Sequence, residues 1–106
     1  MALLDREARR EGPAGENAAY ELGKALRDHL LRPREALEVW RKYRAHHPHG
    51  VLRAEIDISV LETLVKLGDD GAALREADAF LARHPRSERR HEVEALRARL
   101  ASSTGR

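Results

Sequence analysis

The 106-residue chain contains no cysteine, which excludes disulfides, thiolate zinc sites and cysteine nucleophiles and leaves the redox compartment open. Aromatic residues are nearly as scarce, at 4%. A core without them is built from alanine, leucine, valine and isoleucine, which suits close helix packing better than a sandwich or barrel. No segment approaches the roughly eighteen uninterrupted apolar residues of a membrane span, so no membrane insertion is expected. The start, Met1 to Arg10, carries charges where a signal peptide needs an apolar run. A surplus of one charge is missing too, because 20 Lys and Arg nearly balance 18 Asp and Glu, for a net +2. With no basic run of five and no aromatics spaced for base stacking, the footprint of a nucleic-acid binder is weak.

The elements of a catalytic site are also missing. There is no glycine-rich phosphate loop; Ser59 and Thr63 fall in mid-helix, and Ser87 reads as a helix N-cap. Glu92 and Glu94 are two apart, so they face different sides of a helix. His46, His47 and His49 form the one cluster of ligand-type side chains. His46 and His47 are neighbours at a helix end and point about 100° apart, so they do not converge on a metal. Imidazoles there suit the negative end of the helix dipole, and His84 fills the matching place later in the chain. The expectation is a chain that is not an enzyme and holds no metal or cofactor. Trp40 and Tyr43 read as core rather than as a ligand cage.

What the sequence does contain is a stretch that occurs twice. Ala36-Leu37, Trp40, Tyr43 and Pro48 correspond to Ala73-Leu74, Ala77, Phe80 and Pro85, each 37 positions on. Self-similarity at a period of about 20–50 residues marks a helical repeat, whose units bury their apolar faces on one another.

Apolar spacings of three and four predict the helices. A short one over Leu3–Arg10 is expected to stop at Gly12-Pro13-Ala14-Gly15. The next runs over Asn17–Leu31, with a stripe of Ala18, Leu22, Ala25, Leu26 and Leu30, and ends at Arg32-Pro33. Pro33 opens a helix to about His47, striped by Ala36, Leu37, Trp40, Tyr43 and Arg44. A helix over Leu52–Leu67 carries Ala54, Ile58, Leu61, Leu64 and Val65 and stops at Gly68-Asp69-Asp70-Gly71. Ala72 to about His84 forms another, with Pro85 as its stop. A last helix, Glu88 to about Leu100, has a thin stripe of Val93, Leu96 and Leu100 and suits a solvated cap. Around it Arg83, Arg86, Arg89, Arg90, Arg97 and Arg99 stand at pairing distance from Glu88, Glu92 and Glu94, so an ion-paired surface is expected. The organisation is thus a helix and linker over 1–15, repeat units over 16–50 and 51–86, a capping helix over 87–100 and a frayed tail over 101–106.

Over residues 16 to 100 this pattern resembles the tetratricopeptide repeat (TPR). Gly68-Asp69, Ala73-Leu74, Phe80 and Pro85 fall at the family's spacing in the second unit; Leu22-Gly23, Ala36, Trp40, Tyr43 and Pro48 do so in the first. Two departures stand out. The first unit has one extra residue between its helices, with Arg32-Pro33 where the family prefers Gly-Asp, and Asp57 stands where a bulky aromatic is common, so packing there is expected to be looser or more polar. The phrase Phe80-Leu81-Ala82-Arg83-His84-Pro85-Arg86-Ser87 is similar to bacterial envelope members, including outer-membrane-assembly lipoproteins and periplasmic cell-division coordinators, and to repeats of anti-sigma and sensor proteins.

The resemblance implies an all-α fold of antiparallel helical hairpins stacked as a short right-handed solenoid with a C-terminal capping helix. It implies a protein-binding scaffold in a bacterial regulatory or envelope protein, soluble in the cytoplasm or periplasm. Its partner, a peptide or a helix, would lie in a concave groove lined by Asn17, Tyr20, Glu21, Lys24 and Arg27, then Glu55, Ile58, Ser59, Glu62 and Lys66, with Glu92 and Arg99 on the cap. Tyr20, Ile58 and Val65 would form an apolar floor. Because about three repeats are usually needed for stable stacking, the domain is expected to abut further sequence or to self-associate through its ends. A structural spacer without a ligand is the alternative, and weak nucleic-acid binding through the Arg-rich last helix a second.

Overall fold

The computed structural model describes residues 13–104. Five helices and no strands are found among them: α1 (Pro13–Asp28), α2 (Pro33–His46), α3 (Arg53–Lys66), α4 (Asp70–Arg83) and α5 (Arg90–Thr104). The helix expected over Leu3–Arg10 lies outside the described residues. The chain forms two compact units, one ending at Val60 and the other beginning at Leu61.

In the first unit α1 packs on α2. Only residues 29–32 separate the two helices, so the chain must reverse direction between them. Ala18, Ala19, Leu22 and Leu26 of α1 and Ala36, Leu37, Trp40 and Tyr43 of α2 are buried. The fit depends on Gly23. A Cβ at that position would lie 2.1 Å from the Trp40 Nε1, so the bare glycine is what admits the indole. The indole nitrogen then donates to the Tyr20 carbonyl at 3.3 Å, which satisfies a polar group that is otherwise buried.

The start of α3 is tied to α2 by charge. Asp57 is 0% exposed, and its Oδ1 accepts from Arg53 Nε at 2.8 Å and from Arg44 Nη1 at 2.9 Å. Arg53 donates again, from Nη1 to the Pro48 carbonyl at 3.0 Å, so it holds the α2–α3 turn as well as the carboxylate. Such pairing offsets the cost of burying a carboxylate. Of the looser or more polar packing expected at Asp57, the structure has the polar one, as an ion-paired clamp.

In the second unit α4 packs on α5. Asp69 caps α4, its Oδ1 accepting from the Ala72 N–H at 3.2 Å. Ala73, Ala77 and Phe80 are buried on α4, and Val93 and Leu100 on α5.

The 37-residue period recurs bond by bond. Helix α2 and helix α4 begin and end 37 residues apart, and so do the starts of α3 and α5. His47 N–H bonds the Tyr43 carbonyl at 2.9 Å and the His47 ring stacks on Tyr43 at 4.3 Å. His84 N–H bonds the Phe80 carbonyl at 2.8 Å and its ring lies 4.8 Å from that of Phe80. Arg90 Nη1 donates to the Pro85 carbonyl at 3.3 Å, as Arg53 does to Pro48.

Several boundaries differ from those expected. Helix α1 starts at Pro13 instead of Asn17, because a proline at the first helical position lacks only an N–H that would be an orphan there, and Gly15 is carried within the helix. It ends at Asp28 instead of Leu31, since Leu31 takes a left-handed conformation with φ of 52° and Arg32 N–H folds back to the Leu26 carbonyl at 2.7 Å. Leu30 consequently leaves the stripe and is exposed, while within the helix Ala25 is half-buried and Ala19 is buried in the stripe. Helix α5 starts at Arg90, after a turn in which Ser87 Oγ accepts from the Arg89 N–H at 3.1 Å, and runs on to Thr104 through the expected tail. Leu100 is buried and Ala101 half-buried, so packing sustains this last turn.

Candidate functional site

Helix α1 carries the first group of expected partner-binding residues. Asn17 and Glu21 are exposed, and Tyr20, Lys24 and Arg27 are half-buried. Lys24 is poised 4.9 Å above the Tyr20 ring and 3.8 Å from the Glu21 carboxylate. Those three residues form one small amphipathic patch. Arg27 is held apart from it, paired with Asp28 at 2.7 Å and stacked 5.5 Å from the centre of the Trp40 ring.

Helix α3 departs from expectation. Glu55 and Lys66 are exposed and Glu62 is half-buried, but Ile58 and Ser59 retain only 3% and 4% of their surface. They are core, and a partner cannot reach them. The cause is that Ile56 through Leu61 are all buried, so α3 hides most of its circumference where an amphipathic stripe would hide one side. Of the expected apolar floor, Tyr20 and Val65 are half-buried and Ile58 is wholly enclosed.

In the second unit Glu62 and Glu92 meet the same guanidinium. Arg89 Nη2 lies 3.7 Å from Glu62 and 2.8 Å from Glu92. The hydrogen bond from Arg89 lowers the Glu92 carboxyl pKa from its ordinary value, against the opposing effect of burial. Arg90 pairs with Glu94 at 3.5 Å, and Arg97 pairs with Asp78. The arginine-rich helix is thus an ion-paired surface, with Arg99 exposed on it. Arg89 was not among the expected site residues, although its spacing of three from Glu92 is a signal of pairing.

The histidines have local partners. His46 Nδ1 lies 2.8 Å from the Lys42 carbonyl, and His47 stacks on Tyr43. Among the described residues no three His, Cys, Asp or Glu side chains are grouped so as to hold a metal ion. No described helix is long and apolar enough to cross a membrane. Trp40 and Tyr43 are 0% and 7% exposed, which makes them core.

One polar residue of the first unit went unnoticed in the sequence. Glu16 sits in the first turn of α1 with 3% exposure, and its Oε2 has no hydrogen-bond partner among the described residues. It borders a cleft with Tyr43, His47, Pro48, Gly50 and Val51. The chain matches no protein-family model, no curated protein and no solved structure.

Proposed function

We propose that the chain is a TPR-like interaction module, which binds a peptide or partner helix through the exposed side chains of the first helix of each pair and of the cap. The observation that carries this reading is the recurrence, at 37 residues, of helix bounds, buried small and aromatic residues, and the arginine-to-proline-carbonyl bond. A duplicated helical hairpin would bury its apolar faces between copies and leave the polar faces free to bind a partner. Partner contacts are assigned to Asn17, Tyr20, Glu21 and Lys24 in the first unit and to Glu62, Lys66, Glu92 and Arg99 in the second. Mixed charge at these positions would fix the register of a bound segment and exclude like-charged ones. The resemblance to bacterial envelope and regulatory repeats supports reading the module as part of a larger protein of that kind.

Selection of a displayed random peptide library on the immobilised full chain tests the proposal. Peptides should be enriched on the wild-type chain and lost on the Glu62→Lys, Lys66→Glu double variant, whose helicity by circular dichroism is unchanged. No enrichment, or enrichment indifferent to the charge reversal, overturns it in favour of a spacer. Retention on heparin that falls steeply with salt and requires Arg86 and Arg99 would instead point to nucleic acid.

A further inference from the structure

A buried charge without a donor is expensive, and where one faces a cleft the missing donor is naturally supplied by a ligand. Glu16 is such a group: it is 3% exposed, its Oε2 has no hydrogen-bond partner among the described residues, and it lines a cleft of about 380 Å³ at the C-terminal end of α2. We propose that this cleft binds an alkylammonium group, with Glu16 as its counter-ion.

The walls suit an organic cation. Tyr43 and the His47 ring stacked on it present aromatic surface, and Pro48 and Val51 add apolar contact; Val51 is 80% exposed at the rim. Gly50 closes the loop over the carboxylate. A Cβ there would fall 1.9 Å from Glu16 Oε2, so any other residue would displace the acid. A metal ion does not fit the donor set, because Glu16, His47 and His49 do not group for coordination. One buried oxygen in want of a donor asks for a single N–H, which favours a compact ammonium over a guanidinium, which seeks two parallel acceptors.

The cleft is also a departure from the repeat. Allowing for the extra residue between α1 and α2, Ala54 and Ser87 occupy the positions that correspond to Glu16 and Gly50, so the second copy of the repeat has neither the acid nor the glycine. Helix packing that recurs elsewhere in the chain does not require this pair. The site is independent of the partner face proposed above and stands or falls separately.

The ammonium could be borne by a lysine of a polypeptide or by a free amine. Chemical-shift titration of the full-length ¹⁵N-labelled chain distinguishes them, using n-butylammonium, n-butanol, Nα-acetyl-lysine methylamide and zinc chloride at constant ionic strength. The ammonium should shift the Gly50 and Val51 amides saturably, with a Kd on the order of 1–10 mM. The neutral alcohol should not. Glu16→Gln, which keeps the side-chain shape, should weaken the ammonium about tenfold or more. Tighter binding of the lysine derivative than of butylammonium assigns the site to a polypeptide, and the reverse order to a free amine. Equal response to the alcohol, unchanged affinity in Glu16→Gln, or saturation by zinc alone overturns the proposal. The ammonium-against-alcohol contrast needs no variant, so it holds even if Glu16→Gln perturbs folding.

Discussion

Replacing Asp57 by alanine should destabilise the chain by about 3 kcal/mol, whereas the same change at Glu94 should cost less than about 1 kcal/mol. The two carboxylates occupy one position of the repeat, each four residues after an arginine that also bonds a proline carbonyl. Their surroundings differ. Asp57 is wholly buried between Arg53 and Arg44, which are 9% and 17% exposed, while the Glu94 side chain is 51% exposed. Removing a partner from a buried pair leaves uncompensated charge, at about 3–5 kcal/mol. The lower end applies because Arg53 keeps the Pro48 carbonyl and Arg44 retains some contact with water. At Glu94 solvent already screens the pair, so little is lost. Urea unfolding followed by far-UV circular dichroism, with m-values compared, measures both changes. A second variant sharpens the test: Arg44→Met in the Asp57→Leu background should recover part of the loss, since apolar groups of similar volume can replace a buried ion pair. If Asp57→Ala costs no more than Glu94→Ala, the clamp does not hold the α2–α3 junction and the reasoning fails.

Gly23→Ala should cost about 1–3 kcal/mol, because the new methyl would lie 2.1 Å from Trp40 Nε1 and force the indole outward. Tryptophan emission should move to longer wavelength, and unchanged emission would contradict the packing. Grafting Gly-Asp in place of Leu31-Arg32 should stabilise by about 1–2 kcal/mol, since glycine relieves the left-handed φ of 52° and aspartate supplies the cap that Asp69 gives α4. A lower melting temperature in the graft would refute this. Arg89→Ala should raise the Glu92 carboxyl pKa, read by NMR titration. Because that pKa is depressed in the folded chain, its contribution to stability is present above the unfolded value of about 4.3 and is lost as pH falls through the folded one. The Glu92 side chain is 58% exposed, so the contribution stays below about 1 kcal/mol. An unshifted titration would show that Arg89 is not the cause.

The repeat was legible because it is written in residues whose effects are local. Pro33 opens α2, and Pro48 and Pro85 follow α2 and α4, so those helices were placed within a residue or two; the Asp69 cap that starts α4 at Asp70 instead of Ala72 was read as part of the preceding stop. Where one residue type has two roles, reading failed. Pro13 stops a helix or starts one, and only the fold shows that it starts α1. Leu31 gives no sign of a left-handed turn, yet it stands where Gly68 stands in the second copy, and Gly68 has φ of 77°. The extra residue between the first pair of helices is present, since residues 29–32 separate α1 from α2 and only 67–69 separate α3 from α4.

The site was harder to read because exposure is a tertiary property. Ile58 and Ser59 were assigned to an accessible face by family position, and the burial of α3 over most of its surface removes them from it. Asp57 stood out as a departure and Arg44 as part of a core stripe, but their meeting across thirteen residues depends on how α2 and α3 approach. Glu16 fell at a supposed boundary, and nothing local marks a carboxylate that will be enclosed by Gly50, 34 positions later.

The central claim is that the 37-residue interval is a true structural unit, and inserting another copy tests it most directly. Residues 53–89 duplicated in tandem after Arg89 continue the register of every bond that recurs in the chain. The lengthened protein should keep its helicity per residue and unfold cooperatively at a higher urea midpoint, as expected when each added unit contributes its own stability and one more interface. Lower helicity per residue together with loss of cooperative unfolding would contradict the account.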